Sequence, residues 1–346
     1  MSSIALEPVV NEAVAAEAFR GLTSAPKTLA PWLFYDEAGS RLFEQITALP
    51  EYYLTRTERS IFTAHADEIF SLLGQRTGCP TSGISDVGIA PQITIAELGA
   101  GTASKTGILL RALARCQPTV FYQPIDISPT ALDEARDTIE ATIPSVIVRP
   151  QIANYVTDPI HIAREHGNKI LALYIGSSIG NFAPVDARAI LTRLRAQLQP
   201  DDALLLGVDL APSASKSVAT LLAAYNDAAG VTAAFNRNIL TRLNRELGAD
   251  FHPERFAHRA LWNPTRSRIE MHLESQFRQT VHIPALSEFQ TGLTFHFAPG
   301  ETIHTENSYK FTPTSISTLL ADTDFAPTRT FTDTGNRFAV TLAEAI

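Results

Sequence analysis

Six consecutive residues, Glu97-Leu98-Gly99-Ala100-Gly101-Thr102, carry the first spacing in this chain that suggests chemistry. An apolar run precedes them and a helical pattern follows, so the two glycines would form a tight turn at the carboxyl edge of a parallel strand. Ligands bind there in doubly wound folds, and glycine lets them touch backbone. The third glycine of the dinucleotide fingerprint is missing, so the close helix approach of a pyrophosphate site is not specified. Asp126, in Pro124-Ile125-Asp126-Ile127-Ser128, ends the next strand about 25 residues after Gly101 and is suited to a pair of ribose hydroxyls. The plainer reading makes Gly99 and Gly101 an ordinary turn and Asp126 a helix cap. After the third strand, Asn154 offers an amide that could accept from and donate to an adenine edge, and Tyr155 offers a ring to pack on its face. An ordinary loop asparagine is the alternative. Lys105, in the first turn of the helix after the glycines, could reach a ligand carboxylate or simply be solvated.

The elements that must position these residues follow a βαβ rhythm. Residues 93–98, 119–125, 145–152, 169–175 and 203–208 read as strands, and 106–116, 129–142 and 185–198 as helices. Five strands then make one open, doubly wound α/β sheet of Rossmann-like type. Beyond Asp209 the pattern changes. Residues 214–248 read as one long helical stretch, and 268–280 and 292–297 alternate like antiparallel strands, which suggests a second, α+β lobe. Thr334-Gly335-Asn336 between two β-prone runs predicts a C-terminal antiparallel hairpin over 329–342, a habit of methyltransferases that use S-adenosylmethionine (SAM). The first sixty residues read as helical, interrupted by Pro31 and Pro50. A turn-rich break at 74–83 reads as a surface loop.

Composition narrows the function. A chain of 346 residues, 45% hydrophobic, can bury a large core. A formal net charge of −8 argues against capture of nucleic acid and favours a small-molecule substrate. No apolar run is long enough to span a bilayer, and the N-terminal residues lack the pattern of a secretory signal, so no membrane association and a cytoplasmic location are expected. Cys79 and Cys116, the only cysteines, read as structural thiols of a reducing compartment. No metal-type ligand pair occurs, and no metal is expected.

Longer strings carry more specificity than the glycine turn. They include Phe34-Tyr35-Asp36, Leu49-Pro50-Glu51-Tyr52-Tyr53-Leu54-Thr55-Arg56-Thr57-Glu58, Gly176-Ser177-Ser178-Ile179-Gly180-Asn181, Tyr225-Asn226-Asp227-Ala228-Ala229-Gly230, Arg268-Ile269-Glu270-Met271 and Ile303-His304-Thr305-Glu306-Asn307-Ser308-Tyr309-Lys310-Phe311. With these the chain resembles the SAM-dependent L-histidine Nα-methyltransferases of ergothioneine biosynthesis, over nearly its whole length. The resemblance implies a SAM-binding domain over 57–212 plus 308–346 and a histidine-binding lobe over 1–56 plus 213–307; a monomer is expected, although the sequence does not reveal the oligomeric state. It implies SAM held by Gly99, Gly101, Lys105, Asp126, Asn154 and Tyr155, although such sites often carry Asp where Asn154 stands. It further implies that Gly176, Asn181 and Tyr225 hold the α-amino and carboxylate groups of histidine, that Tyr35 and Tyr52 close over that end, and that Met271, Glu306 and Ser308 line the imidazole pocket. Tyr52 and Asn181 are the expected catalytic pair, and trimethylation to hercynine the expected activity.

Part of this stands on the residues alone. Asn181 follows the fourth strand, at the same sheet edge as Gly99 and Asp126. Glu306 and Ser308 are spaced to share one side of an extended segment, and a carboxylate with a hydroxyl can engage both imidazole nitrogens. Without the resemblance, Met271 reads rather as a core residue, Glu306 as a solvated strand charge and Ser308 as a turn residue, and His272 and His304 read as structural. Two rivals remain: an Nα-methyltransferase of another aromatic amino acid of the tryptophan type, which Glu306 and Ser308 disfavour, and a non-catalytic SAM-binding protein, which the Asn181 and Tyr225 constellation disfavours.

Overall fold

The computed structural model describes residues 12–74, 92–165, 167–285 and 292–346. Residues 1–11, the loop at 75–83 and Cys79 lie outside them; from residue 12 the N-terminal segment is largely helical, as expected. The chain divides into two compact units: residues 54–217 with 309–346, and residues 1–53 with 218–308. The sequence had put these boundaries at 56/57, 212/213 and 307/308.

The first unit is built on strands β1 (Ile93–Leu98), β2 (Val120–Asp126), β3 (Val146–Val148), β4 (Lys169–Tyr174), β5 (Ala203–Asp209), β6 (Phe325–Thr332) and β7 (Phe338–Ala345). Their order across the sheet is β6-β7-β5-β4-β1-β2-β3. The strands from β5 to β3 pair in parallel, and β7 joins β5 antiparallel with β6 outside it. The chain therefore starts at β1 in mid-sheet and winds outward both ways. The resulting switch point between β1 and β4 opens a crevice at the strands' carboxyl ends. Strands covered on both faces must be apolar throughout, and every residue of β1 and β5 is buried.

One expected strand is divided. Residues 145–152 form β3 and a two-residue piece, Gln151–Ile152, both in the same parallel register with β2. That register sets Pro150 beside Pro124, and neither has an N–H to give the ladder. The closing hairpin forms as the sequence suggests. Asp333 organises its turn by accepting hydrogen bonds from the backbone N–H groups of Gly335, Arg337 and Phe338.

In the second unit, Arg268–Ser275 pairs antiparallel with Phe256–Asn263, and Thr302–Tyr309 pairs in parallel with the short Lys27–Thr28. These four strands form one sheet. Burial alternates strictly along Arg268–Ser275, as a sheet with one covered face requires. The expected strand 268–280 breaks after Ser275 and resumes as Gln279–Ile283, which forms a hairpin with Leu293–Phe297.

The long helix expected over 214–248 is also two, Val218–Ala224 and Val231–Leu247. Gly230 enters the second with φ +76°, and the Asp227 carboxylate accepts from the N–H groups of Val231 and Thr232. This cap satisfies donors that a continuous helix would have bonded internally, and it places Tyr225 at the break.

Candidate functional site

The glycine turn stands where the strand order reverses. Gly99 and Gly101 have φ of +67° and +52°, and Ala103 follows at +52°. Such backbone strongly favours glycine, and a Cβ at Gly101 would project into open space. At Gly99 a Cβ would sit 3.4 Å from the Tyr155 ring, so turn and aromatic are neighbours. Tyr155 packs edge-on against Tyr174 and Phe182, and burial pushes its hydroxyl pKa up to about 12. It serves as an apolar wall.

Asp126 does more than cap. One carboxylate oxygen accepts from the Gly101 N–H at 2.9 Å and the other from the Ser128 N–H at 3.0 Å, which locks the turn to the end of β2. Each oxygen retains a lone pair for a ligand hydroxyl. Asn154 accepts from the Val156 N–H at 3.0 Å, and its amide NH₂ has no partner among the described residues.

Lys105 is not the solvated lysine of the bland reading. Its ammonium pairs with Glu58, whose side chain is 0% exposed. The other Glu58 oxygen accepts the backbone N–H of Gly176 at 2.8 Å. With that N–H taken, Gly176 offers a ligand only its carbonyl, an acceptor suited to an amine and unable to hold a carboxylate. Asn181 closes the short helical turn Ser178–Asn181 beyond β4, and its amide has no hydrogen bond among the described residues. Ser177, before that turn, takes φ +61°, an uncommon conformation for a side-chain-bearing residue, held by hydrogen bonds to Gly207 and Asp209.

Sequence reasoning passed over two acids here. Glu58 lay inside a recognised string without a role. Glu97, at the end of β1, is 2% exposed and accepts from both Thr106 and Tyr122. Burial lifts its pKa to about 7, with the Tyr122 and Thr106 hydrogen bonds opposing that rise. It fastens the helix after the glycine turn to β1 and β2.

In the second unit the candidate groups are side chains. Tyr225, 6% exposed, shares a 2.8 Å hydrogen bond with the hydroxyl of Ser308, 2% exposed. Tyr52 packs edge-on against Tyr225 and Phe43, while Tyr35 meets Phe43 and Phe235. Phe43 and Phe34, which stacks on Phe235 at 4.4 Å, complete an aromatic cluster. Phe34 lies inside a recognised string without a role, and no local signal in the sequence singles out Phe43.

Buried polar groups fix Tyr225 from behind. Nε2 of His258 lies 2.8 Å from the Tyr225 carbonyl, and Nδ1 lies 2.8 Å from the Asn236 amide nitrogen. A carbonyl can only accept and an amide NH₂ can only donate, so His258 must be neutral and protonated on Nε2. Burial, its largest influence, holds its pKa below the usual imidazole range.

Met271 is 2% exposed, on the covered side of its strand. Along Thr302–Tyr309 the buried positions shift phase, from Ile303 and Thr305 to Ser308, so Ser308 is buried and Glu306 only half-buried. His272 and His304 stack on each other at 4.8 Å, and His272 contacts Glu270. Among the described residues no group of three His, Cys, Asp or Glu side chains could hold a metal, and no helix is long and apolar enough to cross a membrane.

Comparisons with known proteins bear on this arrangement. The family described as SAM-dependent, histidine-specific methyltransferase matches residues 14–345. A histidine N-alpha-methyltransferase of Mycolicibacterium smegmatis is 39% identical, over 95% of both chains. One of Mycobacterium tuberculosis is 38% identical, over 94% of this chain and 93% of its own. Among solved structures, a SAM-dependent methyltransferase from Clostridium acetobutylicum aligns over 88% of this chain and 98% of its own, at 10% identity and a TM-score of 0.46.

Proposed function

Since the chain belongs to the family of SAM-dependent, histidine-specific methyltransferases, we propose that it transfers three methyl groups from SAM to the α-amino nitrogen of L-histidine. The products are hercynine and S-adenosylhomocysteine, and the reaction begins ergothioneine biosynthesis. The observation that carries this reading is the family match across residues 14–345. A relative named ergothioneine biosynthesis protein 1, from Neurospora crassa, is 31% identical over 71% of this chain and 28% of its own length, and its name supports the pathway.

In the reading we favour, Asp126 binds the ribose hydroxyls of SAM, Asn154 and Tyr155 the adenine, and Lys105 the methionine carboxylate, with Gly99 and Gly101 admitting the ligand to backbone. The turn locked by Asp126 and the unclaimed amide of Asn154 support those roles. Glu306 and Ser308 serve the two imidazole nitrogens beside Met271. For the amino acid end, the candidates are Asn181 and the Gly176 carbonyl in the one unit and Tyr225, Tyr35 and Tyr52 in the other.

The sulfonium is already activated, so the protein must chiefly orient a neutral amine along the S–CH₃ axis. The α-ammonium first loses a proton. Its lone pair then forms the N–CH₃ bond as the S–CH₃ bond breaks, and the sulfur keeps the bonding pair. Tyr52 is our candidate for relaying the proton to water, and the aromatic cluster suits a nitrogen that becomes a permanent cation. Tyr52→Phe should lower kcat and alter its pH profile; an unchanged rate and profile would remove Tyr52 from the relay.

The deciding experiment incubates the purified protein with SAM and each amino acid in turn, with products read by mass spectrometry. A gain of three methyls on histidine alone is expected, and no gain on histidine overturns the reading.

A further inference from the structure

We infer that Glu58 is a positioning residue of the methyl-donor site, acting through Lys105. The inference rests on the proposed SAM site. Glu58 lies in Tyr53–Leu72, a helix that precedes the whole parallel sheet, yet its carboxylate reaches three separate parts of the sheet's carboxyl edge. Oε2 pairs with the Lys105 ammonium at the start of the helix after the glycine turn. Oε1 accepts the Gly176 N–H beyond β4. A Cβ at position 207, in β5, would lie 2.2 Å from Oε1, so only glycine leaves room there for the carboxylate.

A carboxylate with a side chain 0% exposed would be costly to bury without such compensation. Lys105 supplies the opposite charge, and Gly176 a fixed donor. The same pairing restrains the lysine. A free lysine carries about 2 kcal/mol of rotamer entropy, which a ligand would otherwise have to overcome. Here the ammonium is held in place, with its side chain still 20% exposed and donors left for a second carboxylate. Gly176 takes part as well, because a Cβ there would come within 2.8 Å of Lys105 Nζ. Glu58 has no exposed surface to offer a ligand, so its influence on the donor must pass through these neighbours.

The test is a double-mutant cycle on binding of S-adenosylhomocysteine by titration calorimetry. It uses the wild type, Glu58→Gln, Lys105→Met and the double variant. Glu58→Gln keeps the shape and an acceptor for Gly176 while removing the charge. Each single change should weaken binding on the order of tenfold, the usual weight of a charge-assisted hydrogen bond. The double variant should be no weaker than Lys105→Met, because removing the lysine leaves Glu58 nothing to position. Binding by Glu58→Gln within twofold of wild type overturns the inference, and so do effects that simply multiply. Should Glu58→Gln not fold, Glu58→Asp, which keeps the charge on a shorter arm, takes its place in the cycle with the same criteria. Failure of the wild type itself to bind S-adenosylhomocysteine would instead strike the proposed function.

Discussion

The two units hold the proposed site residues by different means. At the carboxyl edge of the parallel sheet, the side chains proposed for the donor stand on a backbone frame: left-handed glycines at 99, 101 and 176, and N–H groups fastened by the carboxylates of Asp126 and Glu58. In the other unit the residues proposed for the acceptor lie in an aromatic cluster around Tyr225 and a buried hydroxyl pair with Ser308, without such a frame. Backbone features come from short local sequence and suit a ligand shared by many enzymes. A side-chain pocket can be altered one residue at a time, which suits the choice of a particular acceptor.

If that division holds, damage in one unit should leave the other's ligand nearly untouched. The largest effect is expected for Asp126→Ala. Two charge-assisted contacts and the brace of the turn vanish together, and affinity for S-adenosylhomocysteine should fall on the order of 10³-fold. Calorimetry reads this directly, and an equal fall in histidine affinity would erase the distinction. Next is Glu306→Ala, which should raise the KM for histidine roughly a hundredfold while donor affinity stays within about twofold. Tyr225→Phe removes one buried hydrogen bond and should cost about tenfold in histidine KM, as should Ser308→Ala. Because the two hydroxyls share one hydrogen bond, the double variant should lose less than the product of the two.

The smallest effect concerns stability. Glu97 has a pKa of about 7 in the folded protein against 4.5 for an ordinary glutamate. The folded state therefore keeps a proton that the unfolded chain releases. Stability contributed by Glu97 is complete below pH 4.5 and declines as pH rises towards 7, by at most about 3 kcal/mol. Glu97→Gln keeps the shape and removes the titration, so denaturant unfolding should show it gaining on the wild type across that interval. Parallel pH curves would mean that Glu97 does not titrate there.

Different physics governed what could be read in advance. The doubly wound sheet, its glycine turn, Asp126 and the closing hairpin are each encoded within a few residues, by apolar runs, glycine spacing and turn formers. Helix Pro129–Thr142 was legible to the residue, because Ser128 and Pro129 together mark a helix start. The long helix over 214–248 was misread because helical periodicity runs on through 225–230, and nothing in that pattern reveals that Asp227 turns its carboxylate to the next helix. The split near Pro150 needed the register with Pro124, which is a relation between strands.

The sequence by itself determined the fold class and the glycine turn at the sheet edge, since local backbone preference and apolar periodicity suffice for both. It could name Glu306, Ser308 and Tyr225 only through whole-chain resemblance. The tertiary structure alone decided that Lys105 is tied to Glu58, that Tyr225 meets Ser308, that His258 holds the Tyr225 carbonyl and that Phe43 joins the aromatic cluster. Those partners stand far apart along the chain, and burial brings them together without leaving a periodic trace. A buried carboxylate or hydroxyl must find its complement wherever the fold supplies one, and neither sequence spacing nor composition specifies where that will be.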